Sequence, residues 1–424
     1  MPVGTKQRLK QSTYEVVELC AGAGGQALGL ERAGFEHQLA IELDEHACST
    51  LLMNRPNWDV RTGDVADTQV WKPADFEGVD LLAGGVPCPP FSIAGKQLGA
   101  SDERDLFAWA VEQVATIRPR ALMLENVRGL STPRFAPYRQ RILDRLAVLG
   151  YEPFWRLLSA SDYGVPQLRP RFVLIALRKE DAPYFSWPSP AEFAPSVGMA
   201  LFDQMAANGW RHADAWSKIA NDVAPTIVGG SKKHGGADLG PTRAKAAWLQ
   251  LGVDGKGIAN EPPARSAPHP LKTPPRLTIE MVSRLQGWNR GEWEFSGRKT
   301  AQYRQIGNAF PPPVAQAIGK SIVSAFDHIE LSSTSTTQTQ ADPLYDLLRR
   351  HPEGVSENSL LNEIPPATSE QLGKWLSSLA LDFNIDIRTV NGERIFKLGD
   401  FRGFLGQEDH FRHEYIEQHR SRVS

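Results

Sequence analysis

The sequence predicts an α/β protein built on a nucleotide-binding sheet, and three successive segments support this class. An apolar strand over residues 14–19 runs into a glycine-rich turn over 20–25 and then into a helix-like segment, which is the order in which nucleotide-binding α/β units begin. A second strand over 39–41 precedes Glu42, and a third β-prone piece precedes Asp64. Acidic side chains at such turns can accept hydrogen bonds from ribose hydroxyls and an adenine amino group. The three turns together indicate an adenosine-containing cofactor, although the glycine spacing alone also fits a plain strand–helix turn.

Length and composition indicate a globular protein of more than one domain. The 424 residues suffice for two or three domains, and hydrophobic and charged fractions of 41% and 23% are ordinary for this class. The three cysteines, Cys20, Cys48 and Cys88, have no metal-ligand spacing and cannot form a disulfide framework, so a reducing compartment is expected. The sequence shows no signal-peptide core and no membrane-spanning apolar run, which predicts a cytoplasmic protein without membrane contact.

The distribution of charge is more informative than its total. The formal net charge is −2, whereas residues 211–300 contain 14 Lys and Arg against 8 Asp and Glu. A locally basic segment on a neutral protein favours contact with phosphates, although many solvated surfaces share this composition.

A cysteine follows the strand predicted over 79–83, at the sheet edge where α/β proteins gather ligands. Pro87 and Pro89 flank Cys88, and because prolines fix φ and lack a backbone donor, they hold the thiol on a stiff turn. The polar, glycine-containing residues that follow, up to Phe107, suit a flap over a site. At this point a nucleophile and an ordinary buried cysteine are equally compatible with the pattern.

Charged side chains also stand at the ends of two later strands. An apolar strand over 121–124 is followed by Glu125, and a carboxylate at the tip of a buried strand is costly without a function or an ion-pair partner. Arg169 and Arg171 precede a strand predicted over 172–177. Alternate residues of an extended segment point to the same side, so both guanidinium groups are expected to face one cleft, although a lone arginine pair is more often solvated.

Residues 181–275 interrupt this regular pattern. They are rich in Pro and Gly, show little helical periodicity, and interleave aromatic with basic residues. The tryptophans are Trp187, Trp210, Trp216 and Trp248, and the basic residues include Lys232, Lys233 and Arg243. Such loops suit nucleic-acid contact, and a solvent-exposed loop insertion is the alternative.

Regular structure returns after this insert and continues into a separate C-terminal module. Helices are predicted over 277–288, 314–326, 343–350, 356–363 and 369–382, and hairpin strands over 385–390 and 394–398. The polar, low-complexity residues 331–343 indicate a flexible linker. Helices followed by a hairpin resemble a winged helix-turn-helix, which would bind DNA or protein, and a plain packing domain is the alternative.

Six blocks in order resemble the DNA (cytosine-5) methyltransferases of bacterial restriction–modification systems. The resemblance covers residues 14 to about 326, and its blocks are 18–25, Glu42-Leu43-Asp44 with Asp64, 87–92, Glu125-Asn126-Val127, 167–171 and 302–310. It implies the Rossmann-like α/β fold of S-adenosylmethionine-dependent methyltransferases, with a small irregular target-recognition domain and a C-terminal winged-helix-like α+β module. The implied organisation is a catalytic domain over 1–180 and 276–330, a target-recognition domain over 181–275, a flexible linker over 331–343 and the module over 344–424.

The resemblance implies covalent catalysis by Cys88. Carbon 5 of cytosine is a weak nucleophile, and addition of a thiolate to carbon 6 converts the ring into an enamine that can accept a methyl group. Glu125 would protonate or hydrogen-bond ring nitrogen 3, and Arg171, supported by Arg169, would contact the carbonyl oxygen. The target base would be flipped out of the duplex, with the flap closing behind it.

The resemblance also implies cofactor and DNA contacts. The residues implied for S-adenosyl-L-methionine are Leu19, Cys20, Gly22, Gly24, Gly25, Glu42, Leu43, Asp64, Val65, Pro87, Asn308 and Ala309. Those implied for DNA are Ser92, Lys96, Gln97, Arg104, Thr226, Ile227, Lys232, Lys233 and Arg243. Cys20 departs from the family, which usually has a Phe that packs on the adenine, and weaker cofactor binding is expected unless Leu43 compensates.

Double-stranded DNA and a cognate restriction endonuclease acting on the same site are the implied partners of a monomer in the bacterial cytoplasm. An RNA cytosine-5 methyltransferase shares the catalytic blocks, and the long basic insert favours duplex DNA without excluding tRNA. A nicotinamide or flavin oxidoreductase would explain the glycine turn but not Cys88, Glu125 or the arginine pair. A non-catalytic DNA-binding protein on this scaffold would be expected to lose Cys88 or Glu125, and neither is lost.

Overall fold

A mixed seven-stranded sheet forms the centre of the larger part of the molecule. The computed structural model describes residues 13–87, 106–229, 237–330, 342–364, 368–390 and 392–402. The elements up to residue 178 are β1 (Tyr14–Leu19), α1 (Gly25–Ala33), β2 (Phe35–Glu42), α2 (Glu45–Asn54), β3 (Val60–Thr62), β4 (Leu81–Gly84), α3 (Phe107–Ile117), β5 (Ala121–Val127), α4 (Ala136–Val148), β6 (Tyr151–Ser159) and β7 (Pro170–Arg178). The alternation of strands and helices confirms the predicted α/β class.

The order of the strands brings the functional turns to one edge of the sheet. The strands lie in the order β3-β2-β1-β4-β5-β7-β6. β1 to β5 pair in parallel, whereas β7 runs antiparallel to β5 and β6. The carboxyl ends of β1, β2, β4 and β5 therefore meet at the same edge. The chain reverses its direction of progress between β1 and β4, and open α/β sheets bind ligands at such a point.

Three helices after the insert bring the chain back to the sheet: α8 (Ile279–Leu285), α9 (Lys299–Asn308) and α10 (Pro312–Phe326). Thr278 caps α8 by accepting a hydrogen bond from the Met281 N–H at 3.2 Å. A Cβ at Gly29 of α1 would lie 2.5 Å from the Ala315 Cβ of α10. The two helices therefore touch where a glycine permits close approach, and this contact carries residues 308–310 to the carboxyl edge of β1.

The insert contains three short helices that the sequence did not predict, within a segment whose other described residues are mostly irregular, as expected: α5 (Val197–Ala206), α6 (Ala213–Ile219) and α7 (Thr242–Gln250). Ser196 caps α5 by accepting a hydrogen bond from the Met199 N–H, and the many prolines and glycines keep the helices short. Four tryptophans of the insert are buried, namely Trp187, Trp210, Trp216 and Trp248. They pack apolar cores instead of forming the nucleic-acid surface that the sequence suggested.

The C-terminal residues form a second, separate sheet with its own apolar core. Its elements are α11 (Pro343–Arg350), β8 (Val355–Ser356), α12 (Glu357–Glu363), α13 (Ser369–Leu379), β9 (Phe383–Val390) and β10 (Glu393–Phe401). The three strands are antiparallel in the order β8-β10-β9. The predicted helices and hairpin are present, and the winged-helix assignment stays a prediction. In the described part of the chain, no helix combines the length and the apolar character required to cross a membrane.

Candidate active site

A cavity of about 670 Å³ opens at the carboxyl edge of the sheet, between the strands, the insert and the return segment. The predicted site residues that line it are Cys20, Gly22, Gly25, Glu42, Leu43, Asp64, Val65, Pro87, Glu125, Arg171, Ile227, Asn308 and Ala309. The predicted residues Leu19, Gly24, Arg169 and Thr226 do not line it: Leu19 is buried beneath, and Gly24 is the N-cap of α1. Residues from all six blocks of the sequence thus meet around one space.

The turn after β1 requires a left-handed backbone at several positions. Cys20 has φ 52° and Gly22 has φ 55°, a region that glycine adopts freely and other residues adopt at a cost. A Cβ on Gly22 would meet no atom within 4 Å, whereas one on Gly25 would collide with the Phe310 carbonyl oxygen. The glycines therefore keep the cavity open on one side of the turn and let the return segment close against the other.

The Glu42 carboxylate is held at the end of β2 by three backbone donors. Its Oε2 accepts from the Gly22 N–H, and its Oε1 accepts from the N–H groups of Leu43 and Asp44, each at 2.8 Å. Burial raises the pKa of Glu42, while these donors act in the opposite direction. A carboxylate offers about four acceptor positions, so one remains for a hydroxyl group of a ligand.

Glu125 and Arg171 form a buried ion pair in the cavity. Arg171 Nε lies 2.7 Å from Glu125 Oε1, and the two side chains are 13% and 11% exposed. Burial raises the pKa of Glu125, and the positive charges of Arg171 and Arg169 oppose this shift. Burial also lowers the pKa of Arg171 against the pull of the Glu125 charge. A carboxyl group whose pKa is raised can donate a proton, and the cation beside it can stabilise developing negative charge.

Asn126 ties the end of β5 to the turn that follows β4. Its Nδ2 donates to the Val86 carbonyl oxygen at 2.9 Å, and the next carbonyl, that of Pro87, accepts from the Leu106 N–H at 3.1 Å. Pro87 thus lies within a hydrogen-bonded frame beside Glu125. The predicted nucleophile Cys88 lies outside the described residues, as do the predicted DNA contacts Ser92, Lys96, Gln97, Arg104, Lys232 and Lys233.

Arg169 does not reach the cavity, which corrects the prediction that both arginines face one cleft. It is fully buried and has φ 30°, so the extended alternation on which the prediction rested is broken at this residue. Its guanidinium donates to the carbonyl oxygens of Ile227, Gly307 and Ala309, each at 2.8 Å. Arg169 joins the insert to the return segment and supports the site from behind.

Gln167 is a site residue that the sequence analysis did not select. This fully buried amide accepts from the Ile227 N–H at 2.8 Å and donates to Gln286 Oε1 at 2.6 Å. It therefore fixes Ile227 at the cavity wall, with Thr226 half-buried next to it; Arg243, by contrast, is exposed on α7. The available signal for Gln167 was its position as a polar residue within the 167–171 block.

Two further contacts join segments that are far apart in the chain and so left no local signal. The Trp293 indole N–H donates to the Ala23 carbonyl oxygen at 2.8 Å, behind the glycine turn. Arg304 Nη2 lies 3.5 Å from Asp44 Oδ2, and both side chains line the cavity. The return segment thus supports the turns that follow β1 and β2.

Comparison with known proteins gives a consistent family. Residues 14–324 match the C-5 cytosine-specific DNA methylase family. The Type II methyltransferase M.NaeI of Lentzea aerocolonigenes is 57% identical over 413 residues, 97% of this chain and 100% of that protein. M.NgoMIV of Neisseria gonorrhoeae is 49% identical over 319 residues, 74% of this chain and 98% of that protein. A crystal structure of a DNMT2 mutant of Spodoptera frugiperda shares the fold, with a TM-score of 0.51 at 17% identity over 73% of this chain and 99% of that one.

Proposed function

Because the chain belongs to the C-5 cytosine-specific DNA methylase family and is a DNA cytosine-5 methyltransferase of the bacterial restriction–modification type, we propose that it methylates a flipped-out cytosine through a covalent adduct with Cys88. The observation that carries the proposal is the buried Glu125–Arg171 pair, which shares one cavity with Pro87, the residue before Cys88. An acid and a cation at one cavity, whose wall includes the residue before a cysteine, are the groups that activation of cytosine for covalent catalysis requires.

The walls of the cavity fit S-adenosyl-L-methionine, the methyl donor of this family. Glu42 has an acceptor position left for a ribose hydroxyl, and the Asp64 carboxylate lines the same wall for an adenine amino group. The open space over Gly22 allows the ligand to approach the backbone. Asn308 and Ala309 border the side assigned to the methionine portion. When bound, the cofactor supplies an electrophilic methyl group.

The proposed reaction begins with attack of the Cys88 thiolate on carbon 6 of cytosine. Formation of the S–C6 bond moves an electron pair toward carbon 5, which then takes the methyl group. Carbon 5 next loses its proton to a base, and the electron pair of that C–H bond forms the C5–C6 double bond again. The S–C6 bond breaks with its electron pair going to the thiolate, and ring nitrogen 3 returns its proton to Glu125. The aromatic ring is restored and Cys88 is regenerated.

Glu125 and Arg171 have complementary tasks in this scheme. The proton held by Glu125 goes to ring nitrogen 3 as the thiolate adds, which prevents negative charge from accumulating on the ring. Arg171 keeps a cation against the cytosine carbonyl oxygen while holding Glu125 in place. Arg169 and Gln167 are assigned a positioning role, since both are fully buried behind the cavity.

The proposed setting is a monomer in the bacterial cytoplasm that acts on double-stranded DNA beside a cognate restriction endonuclease. The catalytic domain comprises 1–180 and 276–330, the target-recognition domain 181–275, the linker 331–343 and the module 344–424. The proposed DNA contacts are Thr226, Ile227 and Arg243 among the described residues, with Ser92, Lys96, Gln97, Arg104, Lys232 and Lys233 beyond them. Support comes from the similarity to M.NaeI and M.NgoMIV, both Type II methyltransferases.

Base-resolution bisulfite sequencing tests the proposal. Plasmid DNA from cells that express the protein should show protected cytosines within one short repeated motif, and DNA from cells expressing Cys88→Ala should show none. Protection of cellular RNA in place of plasmid DNA would redirect the assignment to an RNA methyltransferase. Absence of protection in both nucleic acids would refute the proposed function.

A further inference from the structure

We propose that the C-terminal module braces the segment that follows Glu125, and that Asp382 and Arg134 are positioning residues for methyl transfer. The inference rests on the proposed role of Glu125. The family match ends at residue 324, so the module lies outside the part of the chain that the family requires. The contacts between the module and the catalytic part indicate the structural role of the module.

The module is fastened to α4 and to the segment before it. Arg134 Nη1 donates to Asp382 Oδ2 at 2.9 Å, and the Asp382 side chain is fully buried. Phe401 lies 5.7 Å, centroid to centroid, from the ring of Tyr138 and contributes to the cores of both parts. Arg349 adds an ion pair to Asp144. A buried ion pair and a shared aromatic contact hold the module in one position.

The fastened segment leads directly to the catalytic carboxylate. β5 carries Glu125 and ends at Val127, and two short 3-10 helices, Arg128–Ser131 and Pro133–Phe135, connect it to α4. Arg139 Nη1 donates to the carbonyl oxygens of Leu130 and Thr132 at 2.6 and 2.7 Å. Residues 128–135 are therefore held by α4 on one side and by the module on the other.

The Arg134 guanidinium depends on the module for a hydrogen-bond acceptor. Its Nε and Nη2 are buried and have no hydrogen-bond partner among the described residues, so the bond to Asp382 is its principal compensation. A buried guanidinium that loses its partner is strongly unfavourable. Without Asp382, Arg134 would have to turn toward water and take the 128–135 segment with it.

The charge of the module fits this inward role better than a role in DNA binding. Residues 344–424 contain 10 Lys and Arg against 13 Asp and Glu, and this excess of acidic residues opposes contact with a phosphate backbone. The face of the catalytic part that it covers carries three arginines: Arg134, which is 18% exposed, Arg139, which is buried, and Arg141, which lies 5.9 Å from the Phe401 ring. Asp144 is the acidic residue of this face and pairs with Arg349 of the module. The acidic residues of the module therefore complement arginines on the catalytic part of the same chain.

The test compares Asp382→Asn with Asp386→Asn in the full-length protein. Asp386 lies on the exposed part of β9, four residues away, and serves as the matched control. Asp382→Asn should lower kcat for DNA methylation at least fivefold while the KM values for DNA and cofactor stay within twofold. Hydrogen exchange of the amides in 128–135 should become at least tenfold faster. Asp386→Asn should leave all of these within twofold of wild type.

Arg134→Gln and Arg134→Lys provide a second pair that keeps the test decisive if Asp382→Asn does not fold. Arg134 is 18% exposed, so these variants disturb the core less. Arg134→Lys retains the charge and should recover most of the kcat that Arg134→Gln loses. Unchanged kcat in Asp382→Asn and Arg134→Gln would overturn the inference, and so would a raised KM for DNA at unchanged kcat, which would indicate that the module binds DNA.

The exchange measurement separates this inference from the proposed function. If the wild-type protein methylates no cytosine, the proposed function fails, and the exchange rates still report whether the module holds residues 128–135. If the wild type is active and exchange in that segment is the same in both aspartate variants, only the bracing role is refuted.

Discussion

The raised pKa of the Glu125 carboxyl group has a consequence for the pH dependence of the proposed reaction. Burial raises the pKa of Glu125 although Arg171 opposes the shift. If the neutral form gives its proton to cytosine, kcat/KM for DNA should fall as the pH rises through the raised pKa. Thiolate formation at Cys88 acts in the opposite sense, so the profile should be bell-shaped.

Glu125→Gln tests this assignment. The amide can still donate a hydrogen bond but has no proton to release, so methylation should slow by about 100-fold or more, within the usual range for general acid catalysis. The decline on the alkaline side should disappear from the pH profile of the variant. A variant that is slow but retains that decline would show that another group is responsible for it.

Cys20 lines the cavity at the position where the family resemblance implies an aromatic side chain that packs on the adenine of the proposed cofactor. Cys20→Phe should bind S-adenosylmethionine about 2- to 10-fold more tightly, since an aromatic contact contributes about 0.5–1.5 kcal/mol beyond burial. Calorimetric titration of the purified variants measures the effect, with Cys20→Ser as a control of similar size that should stay within twofold of wild type. Weaker binding by Cys20→Phe would show that the turn, with φ 52° at this residue, has no room for the ring.

Among single residues, the positions of those at strand ends were predictable from the sequence, whereas the position of Arg169 depends on a local change of backbone direction. Glu42 and Glu125 line the cavity as expected from their positions after apolar strands. Arg169 was misplaced because the alternation of an extended segment was assumed, and its φ of 30° breaks that alternation. Gln167 was missed because its partners, Ile227 and Gln286, are 60 and 119 residues away.

The close contact between α1 and α10 supports the edge of the sheet that borders the cavity. Gly29→Leu should destabilise the protein by about 1–3 kcal/mol or more, because the new side chain meets the Pro312 carbonyl oxygen and the Ala315 Cβ, both 2.5 Å from its Cβ position. Thermal unfolding measures this. Gly373→Ala in α13 has open space around it and should be neutral or stabilising by up to about 1 kcal/mol. Equal effects at both sites would contradict the described packing.

Among the elements, those with a strong apolar period were predictable and those of the insert were not. The helix predicted over 343–350 is present as Pro343–Arg350, because its cap, period and flanking residues agree. The three helices of the insert are short, and their buried tryptophans serve tertiary packing, so the local pattern resembled an exposed loop. The antiparallel direction of β7 depends on how β6 returns to the sheet, which no local pattern reports.

For the whole molecule, binding to DNA has to come from local basic residues, since the net charge is only −2. Arg243→Ala, at the exposed start of α7, should weaken binding to every duplex to a similar degree. It should also reduce the slope of log Kd against log salt by about 0.9, as expected for loss of one phosphate contact. Arg388→Ala in the acidic module is the control and should leave both unchanged. A change limited to one DNA sequence would indicate base recognition by Arg243 instead.

At the scale of the whole molecule, the order of the motifs along the chain predicted that the six blocks would meet at one site. Six blocks separated by up to about 280 residues meet at one cavity, as the resemblance implied. The attachment of the C-terminal module to α4 was not foreseen. Arg134 and Asp382 are 248 residues apart, and each looks like an ordinary surface charge in the sequence.

The most direct test of covalent catalysis by Cys88 is intact-mass spectrometry of the protein with a target duplex that contains 5-fluorocytosine. Fluorine cannot leave carbon 5 as a proton does, so elimination is blocked and the adduct should persist in the presence of S-adenosylmethionine. The wild-type protein should gain the mass of the methylated DNA strand, with the modification located on Cys88, and Cys88→Ala should gain none. A wild-type protein that methylates normal duplex but forms no adduct, or an adduct on another residue, would contradict the account.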